Sequence, residues 1–292
     1  MLYWGGMLPD VKAKIFVDSG DPAETRAVLR RLGRLDGQTT NPSLIAKNPA
    51  AQARLARGEK FSREEVLQHY RTVVTEVSQL IPQGSVSIEV YANAQTTTEV
   101  MLAQAREMFT WIPNAHIKFP ITTAGLAATE AVVAQGMRVN LTLNFSLEQA
   151  AAVYAATRGA ARGQVFLSPF IGRFDDRGES GLDLIDQVTK LYASGDGHVL
   201  NLAASIRHLY HLVRSIELGA DILTVPAKVL LAWADAGYPT SSAAMTPPVT
   251  GLRPLPAPLV RLDRPWQEYN LQHDLTDAGV AKFAADWDAL VG

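Results

Sequence analysis

Short apolar or β-branched runs recur along the chain, each bounded by turn residues and each followed by a stretch with helical spacing. Such runs occupy residues 14–19, 37–42, 85–90, 116–120, 138–145, 165–171, 198–205 and 221–226. The second run is weakly strand-like by propensity, and its place in the series is what indicates a strand. The alternation is typical of parallel βα units.

Helix-start signals lie between the expected strands. A side-chain oxygen at Asp21, Ser62, Thr96 and Ser146 is followed three residues later by Glu or Gln, a pattern that caps the first turn of a helix. Eight βα units in one chain favour an α/β fold, a closed (β/α)8 TIM barrel. An open doubly wound sheet is the alternative, but its dinucleotide-binding form lacks the expected Gly-x-Gly-x-x-Gly after the first strand.

Two segments depart from the simple alternation. Residues 43–84 are long enough for two or more helical pieces, and the proline-rich insert at 238–269 is expected to run extended over the surface. An amphipathic helix at 277–291 then presents Val280, Phe283, Trp287 and Leu290 on one face. We therefore expect a single TIM-barrel domain over residues 1–292, with the barrel core at about 14–237 and a C-terminal wrap and terminal helix at 238–292.

Composition narrows the class of protein. The 292 residues are 47% hydrophobic and 19% charged, as in a globular protein with a sizeable core. A formal net charge of −2 gives no reason to expect nucleic acid as a partner. No apolar run approaches the ~20 residues of a membrane span. Cysteine is absent, which fits the cytoplasm, and the histidines show no metal-ligand spacing, so we expect a soluble cytoplasmic protein without a metal.

Lys118 is out of place in a strand. It stands between Ile117 and Phe119, where an ammonium is costly to bury unless it is paired or deprotonated. One interpretation is a structural ion pair with Asp18 or Glu89. The other is an amine activated by burial to attack a carbonyl and form a Schiff base.

Other polar residues gather at the expected strand ends, where the chemistry of such barrels is located. Two carboxylates on different strands, Asp18 and Glu89, would supply the proton transfers that imine chemistry needs. The neutral donors and acceptors suit a polyol substrate, and they are Asn41, Asn140, Thr142, Ser168 and Ser205. Taken singly, each of these has a structural interpretation as well.

Two arginines follow adjacent strands. Arg173 and Arg207 would face the same mouth of the barrel, where their guanidinium groups could clamp a phosphate. The alternative is that the acidic pair Asp175 and Asp176 neutralises Arg173.

These residues lie in motifs that resemble the transaldolase family. The motifs are VDSGDP around Asp18, DGQTTNPSLI with Thr39 and Asn41, SIEV with Glu89, IKFPITTAGLAA with Lys118, VNLTLNFSLEQA, LSPFIGRFDD, AASIR and LTVP. They occur in family order over roughly residues 14 to 230. The resemblance is therefore more specific than any one motif.

The resemblance implies a transferase that moves a dihydroxyacetone unit between sugar phosphates of the pentose phosphate pathway, with no metal and no organic cofactor. It makes Lys118 the Schiff-base lysine, Asp18 the acid/base for the hydroxyl at the cleaved bond, and Glu89 the partner of a catalytic water. Thr142 would hold that water. The implied substrate contacts are Thr39, Asn41, Asn140, Phe145 and Ser168, and the implied phosphate site is Arg173, Ser205 and Arg207.

The nearest alternative is the fructose 6-phosphate aldolase type, which releases free dihydroxyacetone. That type usually carries Gln and Tyr where this chain has Glu89 and Phe145, which favours transfer, although the C-terminal GVAKFAADW resembles the smaller aldolase-type relatives. More remote alternatives are a non-catalytic barrel that binds sugar phosphates, a decarboxylase and another imine aldolase. The sequence leaves the oligomeric state open.

Overall fold

The strands close into a parallel barrel. The computed structural model describes residues 11–292, and its eight strands follow one another around the barrel, with the last paired to the first. They are β1 (Lys14–Asp18), β2 (Gly37–Thr39), β3 (Ser85–Glu89), β4 (Ala115–Pro120), β5 (Val139–Asn144), β6 (Val165–Pro169), β7 (Val199–Ala203) and β8 (Ile222–Val225). The predicted TIM barrel is confirmed, and the open-sheet alternative is wrong.

Helices surround this barrel. They are α1 (Pro22–Leu32), α2 (Pro42–Ala46), α3 (Pro49–Ala56), α4 (Arg63–Leu80), α5 (Thr98–Phe109), α6 (Thr123–Val133), α7 (Leu147–Ala156), α8 (Ile171–Asp175), α9 (Gly181–Tyr192), α10 (Leu209–Glu217), α11 (Ala227–Asp235) and α12 (Asp274–Asp288). The long excursion after β2 holds α2, α3 and α4, as its length predicts. Among residues 11–292, no helix is both long and apolar enough to cross a membrane.

The predicted capping residues begin helices, with one shift. Ser62 forms the full reciprocal capping box at α4, and the side chains of Asp21 and Ser146 accept backbone N–H groups in the first turns of α1 and α7. Helix α5 begins one residue later than expected, because Thr97 rather than Thr96 caps it. The Thr96 hydroxyl instead takes part in a turn.

The lower part of the barrel is filled by aromatic side chains. Phe16 of β1 and Phe166 of β6 meet edge to face at 5.9 Å across the interior, and His116 of β4 stacks on Phe166 at 4.2 Å. Burial lowers the pKa of His116 to about 3. These rings fill the lower interior, so we expect a ligand to approach from the carboxyl ends of the strands.

Strand β5 carries an irregularity near its end. Its register against β6 shifts between Leu141 and Asn144, and Leu143 takes a left-handed backbone conformation with φ of 63°. This is the form of a β-bulge, which redirects the side chains that follow it. The Leu143 carbonyl accepts a hydrogen bond of 3.0 Å from the Thr276 hydroxyl of α12.

The C-terminal segment ends in a helix that packs over the mouth of the barrel. Residues 238–269 form a loop without a strand or an α-helix, with a turn at 243–244, several bends and a short 3-10 turn, and they bury Val260, Trp266 and Tyr269. Helix α12 starts three residues before its expected position and packs against α2 and β5. All four apolar residues predicted for its inner face are buried. Gly279 allows the close approach, since a Cβ there would lie 2.6 Å from the Leu143 side chain.

Candidate active site

A cavity of about 340 Å³ opens at the carboxyl ends of the strands. The predicted site residues that line it are Asp18, Thr39, Asn41, Lys118, Ser168, Arg173, Ser205 and Arg207. The barrel topology thus brings together side chains that are up to 189 positions apart in the sequence, from Asp18 to Arg207. The roles expected for them remain predictions.

Lys118 and Glu89 form a buried ion pair in this cavity wall. The two residues are register partners on β4 and β3, their side chains are each 3% exposed, and Lys118 Nζ lies 2.9 Å from Glu89 Oε2. The amine also donates a 2.9 Å hydrogen bond to the Thr40 carbonyl. The two interpretations of Lys118, a structural ion pair and a reactive amine, are therefore compatible, because the residue that pairs with Glu89 also lines the cavity.

Two carboxylates share this electrostatic environment. Burial raises the pKa of Asp18, opposed by the charge of Lys118 and by a 2.6 Å hydrogen bond from the Thr39 hydroxyl. Burial likewise raises the pKa of Glu89, with Lys118 again opposing the shift. Thr224 hydrogen-bonds Thr39 from the other side and completes this wall. Two carboxyl groups beside an amine form a cluster that can serve as acid and base.

Asn140 and Thr142 lie behind the cavity wall. The Ser168 hydroxyl, which lines the cavity, donates a 2.7 Å bond to Asn140 Oδ1, and Asn140 Nδ2 donates to Ser87 Oγ at 3.1 Å. Thr142 Oγ1 is buried and meets no hydrogen-bonding partner within residues 11–292, whereas Glu89 Oε2 is held by Lys118 Nζ. Buried polar oxygens normally have a partner, so the Thr142 hydroxyl could bind a small polar molecule.

The two arginines reach the same cavity from α8 and from the turn after β7. Arg173 is half-buried, and burial lowers its pKa. Asp176 pairs with Arg207 at 2.8 Å, and Asp175 bonds His211 at 2.7 Å. Within residues 11–292, neither aspartate therefore forms an ion pair with Arg173, contrary to the alternative in which the acidic pair neutralises that arginine.

One group of side chains has the composition of a metal site. Asp175, His208 and His211 place their donor atoms within 4.8 Å of one another. These atoms already serve hydrogen bonds, since His211 Nε2 meets Asp175 and His208 Nδ1 caps α10 by accepting the His211 N–H. The group joins α8 to α10, and the sequence-based expectation of no metal stays a prediction.

Phe145 does not line the cavity. Its ring packs behind the wall against Phe170, Phe174 and His273, at 6.0, 5.6 and 5.4 Å between centroids. The aromatic residue that does line the cavity is Phe170, two residues past Ser168. The substrate contact expected of Phe145 stays a prediction, and its ring contacts the cavity wall through Phe170.

Sequence reasoning also missed the outer rim. Lys47, which follows α2, and Lys282 and Asp286 on α12 line the cavity. Asp286 bonds both Lys282 and the Ser43 hydroxyl, which ties α12 to α2. The i, i+4 spacing of Lys282 and Asp286 was the only signal in the sequence, and it is equally typical of a solvated helix face.

The sequence profile of the family described as Transaldolase/Fructose-6-phosphate aldolase matches residues 15–292. The chain belongs to this family. A probable transaldolase from Dehalococcoides mccartyi is 34% identical over 277 residues, covering 95% of this chain and 99% of the relative. Probable transaldolases from Cytophaga hutchinsonii and Alkaliphilus metalliredigens are also 34% identical, with 94% and 95% of this chain and 97% and 99% of the relatives covered.

The transaldolase resemblance predicted from the motifs is thereby confirmed, and the protein is an enzyme of the transferase or aldolase type. Among solved structures, the 3-hexulose-6-phosphate synthase of Salmonella typhimurium aligns over 77% of this chain and 100% of its own length, with a TM-score of 0.48 and 10% identity. Similarity at that level supports no inference about this transaldolase-family protein.

Proposed function

We propose that this transaldolase-family protein transfers a dihydroxyacetone unit from a ketose phosphate to an aldose phosphate through a Schiff base on Lys118. Fructose 6-phosphate or sedoheptulose 7-phosphate would be the donor, as in the pentose phosphate pathway. The observation that carries the proposal is the buried Lys118 amine, which meets Glu89 on one side and the cavity on the other. An amine held in this position can attack a carbonyl carbon that enters the cavity.

The cavity suits a phosphorylated polyol. Arg173 and Arg207, with Ser205, offer a phosphate site at one part of the wall. Asn41 and Ser168 offer hydroxyl contacts nearer the amine, with Asn140 in support through Ser168. A substrate held at both ends would present its ketone carbon to Lys118.

In the proposed mechanism, neutral Lys118 attacks C2 of the ketose phosphate, and the carbinolamine loses water to give the imine. Asp18 then takes the proton of the C4 hydroxyl, the C3–C4 bond breaks, and the aldose phosphate leaves while an enamine stays on Lys118. The enamine attacks the aldehyde carbon of a second aldose phosphate, and that carbonyl oxygen recovers the proton from Asp18. Hydrolysis of the new imine releases the product ketose and restores the amine.

Glu89 and Thr142 would handle the water lost and regained in the imine steps. Thr142 has a buried hydroxyl that meets no partner within residues 11–292, and the Glu89 carboxylate lies against the Lys118 amine. A water held by the Thr142 hydroxyl could pass a proton to or from the Glu89 carboxyl group.

Release of free dihydroxyacetone is the competing outcome, in which the enamine is protonated instead of captured. The aromatic residues in the cavity wall are Phe170 and Phe283, and neither has a hydroxyl that could donate that proton. The lack of such a hydroxyl supports transfer. A non-catalytic sugar-phosphate-binding barrel has no use for Asp18, Glu89 and Lys118 in one cluster.

The test supplies fructose 6-phosphate with and without erythrose 4-phosphate. Product that forms only with the acceptor supports transfer, whereas equal release of dihydroxyacetone without it supports the aldolase alternative. Borohydride should trap substrate on the wild-type protein and on Lys47→Ala, which changes another lysine of the same cavity. Trapping that survives Lys118→Ala would refute the assignment of the nucleophile.

A further inference from the structure

Tyr70 lies on a helix outside the barrel, but its hydroxyl hydrogen-bonds residues at the carboxyl ends of β2 and β3. It is in the middle of α4, fully buried, with its ring between Trp111 and Trp287 at 6.0 and 5.9 Å. Its phenolic oxygen accepts the Glu89 N–H at 2.9 Å and meets Thr40 Oγ1 at 2.5 Å. Aromatic packing alone would not require either bond.

The direction of these bonds follows from their neighbours. The Thr40 hydroxyl donates to the Ser87 carbonyl at 2.7 Å, so the Tyr70 hydroxyl must be the donor to Thr40. Burial raises the pKa of Tyr70, which keeps the phenol protonated for this bond. The Tyr70 hydroxyl thus accepts a hydrogen bond from Glu89 of β3 and donates one to Thr40, which directly follows β2.

These bonds interrupt the ladder between β2 and β3. The strands pair in register up to Thr39 and Ser87, and the Thr40 N–H still donates to the Ser87 carbonyl at 3.1 Å. In a parallel ladder the next bond would run from the Glu89 N–H to the Thr40 carbonyl. Here the Glu89 N–H goes to Tyr70, and the Thr40 carbonyl accepts Lys118 Nζ at 2.9 Å instead.

We propose that Tyr70 is a positioning residue for the Lys118–Glu89 pair. By taking the Glu89 N–H out of the ladder, its hydroxyl frees the Thr40 carbonyl to hold the Lys118 amine. The amine then has Thr40 and Glu89 on the barrel side and one remaining direction, toward the cavity that it lines. This inference rests on the proposed imine chemistry, since it concerns how the attacking nitrogen is aimed.

The test is Tyr70→Phe, which keeps the ring between the two tryptophans and removes only the hydroxyl. Without it, the Glu89 N–H regains the Thr40 carbonyl, and Lys118 loses that acceptor. We expect the rate of borohydride-trapped imine formation, and kcat with it, to fall about 10- to 100-fold, the range for a lost hydrogen bond to a charged group. KM for the ketose phosphate and inhibition by inorganic phosphate should stay within about twofold, because the arginines are untouched.

Tyr192→Phe is the matched control. Tyr192 is another buried tyrosine whose hydroxyl donates to a backbone carbonyl, that of Ala150 at 2.9 Å, on helices away from the cavity. It should lose similar stability and keep the wild-type trapping rate. If Tyr70→Phe does not fold, Thr40→Val removes the acceptor that orients the Tyr70 hydroxyl while keeping the carbonyl, and it should slow trapping by less than the roughly 10-fold expected of Tyr70→Phe; an unchanged rate would count against the positioning role.

The outcomes separate the two proposals. A wild-type protein that traps no substrate on Lys118 refutes the proposed function itself. If the wild type traps, an equal trapping rate in the Tyr70 variant overturns the positioning role alone. Equal slowing in the Tyr192 control, or a rise in KM and in the phosphate inhibition constant as large as the loss of rate, would also overturn it.

Discussion

Gly172 precedes Arg173 and packs against Arg207, so alanine at position 172 should displace the guanidinium groups that line the cavity. A Cβ on Gly172 would lie 2.4 Å from both Arg207 Nε and the Ser205 carbonyl oxygen. The carbonyl belongs to a residue with φ of 58° and accepts the Gly172 N–H at 3.1 Å, so it has little freedom to retreat. Opening these contacts to 3.0 Å or more displaces the turn or the guanidinium by roughly 0.6 Å.

A displacement of this size at a phosphate clamp should raise KM for the ketose phosphate about 10- to 100-fold, because charge-assisted hydrogen bonds depend steeply on geometry. Overpacking should also lower the free energy of unfolding by ~1–3 kcal/mol. The assay is steady-state transfer at varied ketose phosphate, with competitive inhibition by inorganic phosphate as a second measure of the site. The phosphate inhibition constant should rise in parallel with KM.

Gly195→Ala is the control for Gly172→Ala, because its Cβ would lie 2.6 Å from the Tyr154 ring, away from the cavity. It should lose stability with KM unchanged. Wild-type KM and phosphate inhibition in Gly172→Ala would refute the assignment of this turn to phosphate binding.

Three further variants test other parts of the site. Burial raises the pKa of Asp18 above 3.8, so the folded protein holds that proton more tightly than the unfolded chain does. Ionisation of Asp18 therefore lowers the stability of the fold as pH rises through the raised pKa. Asp18→Asn should melt at a higher temperature than the wild type near pH 7, but not at pH values below 3.8. Calorimetry showing the same Tm difference at both pH values would contradict this. Thr142→Val should lower kcat about 100-fold with little change in Tm, and an unchanged kcat would exclude its role with water. Trp287→Ala should lower the urea-derived free energy of unfolding by ~3–5 kcal/mol through lost packing on Tyr70, and a loss under ~1 kcal/mol would show that α12 is loosely held.

The barrel and the centre of the candidate site could be predicted from the sequence because each rests on a local signal. Eight strand runs in phase with helix starts define the closed barrel, and a lysine between apolar strand residues identifies Lys118 without knowledge of its neighbours. Strand ends meet at one mouth in such a barrel, so Asp18 and Arg207 could be placed near Lys118 from topology alone.

The rest depends on geometry that no local pattern records. Phe170 lines the cavity and packs on Phe145, an arrangement that no motif in the sequence records. The rim residues Lys47 and Asp286 meet only because α12 packs on α2. Tyr70 has the sequence context of an ordinary core aromatic, and only its hydroxyl contacts distinguish it.

The contact between Gly279 and Leu143 also restricts how this sequence can evolve. A methyl group added at position 279 would lie 2.6 Å from the side chain at 143, so the two sites share one volume. A lineage that gains alanine at 279 should need a smaller residue at 143, and the two substitutions should be epistatic, each tolerated better with the other than alone. Positions 143 and 279 should therefore vary together among related sequences, although 136 positions separate them in the chain.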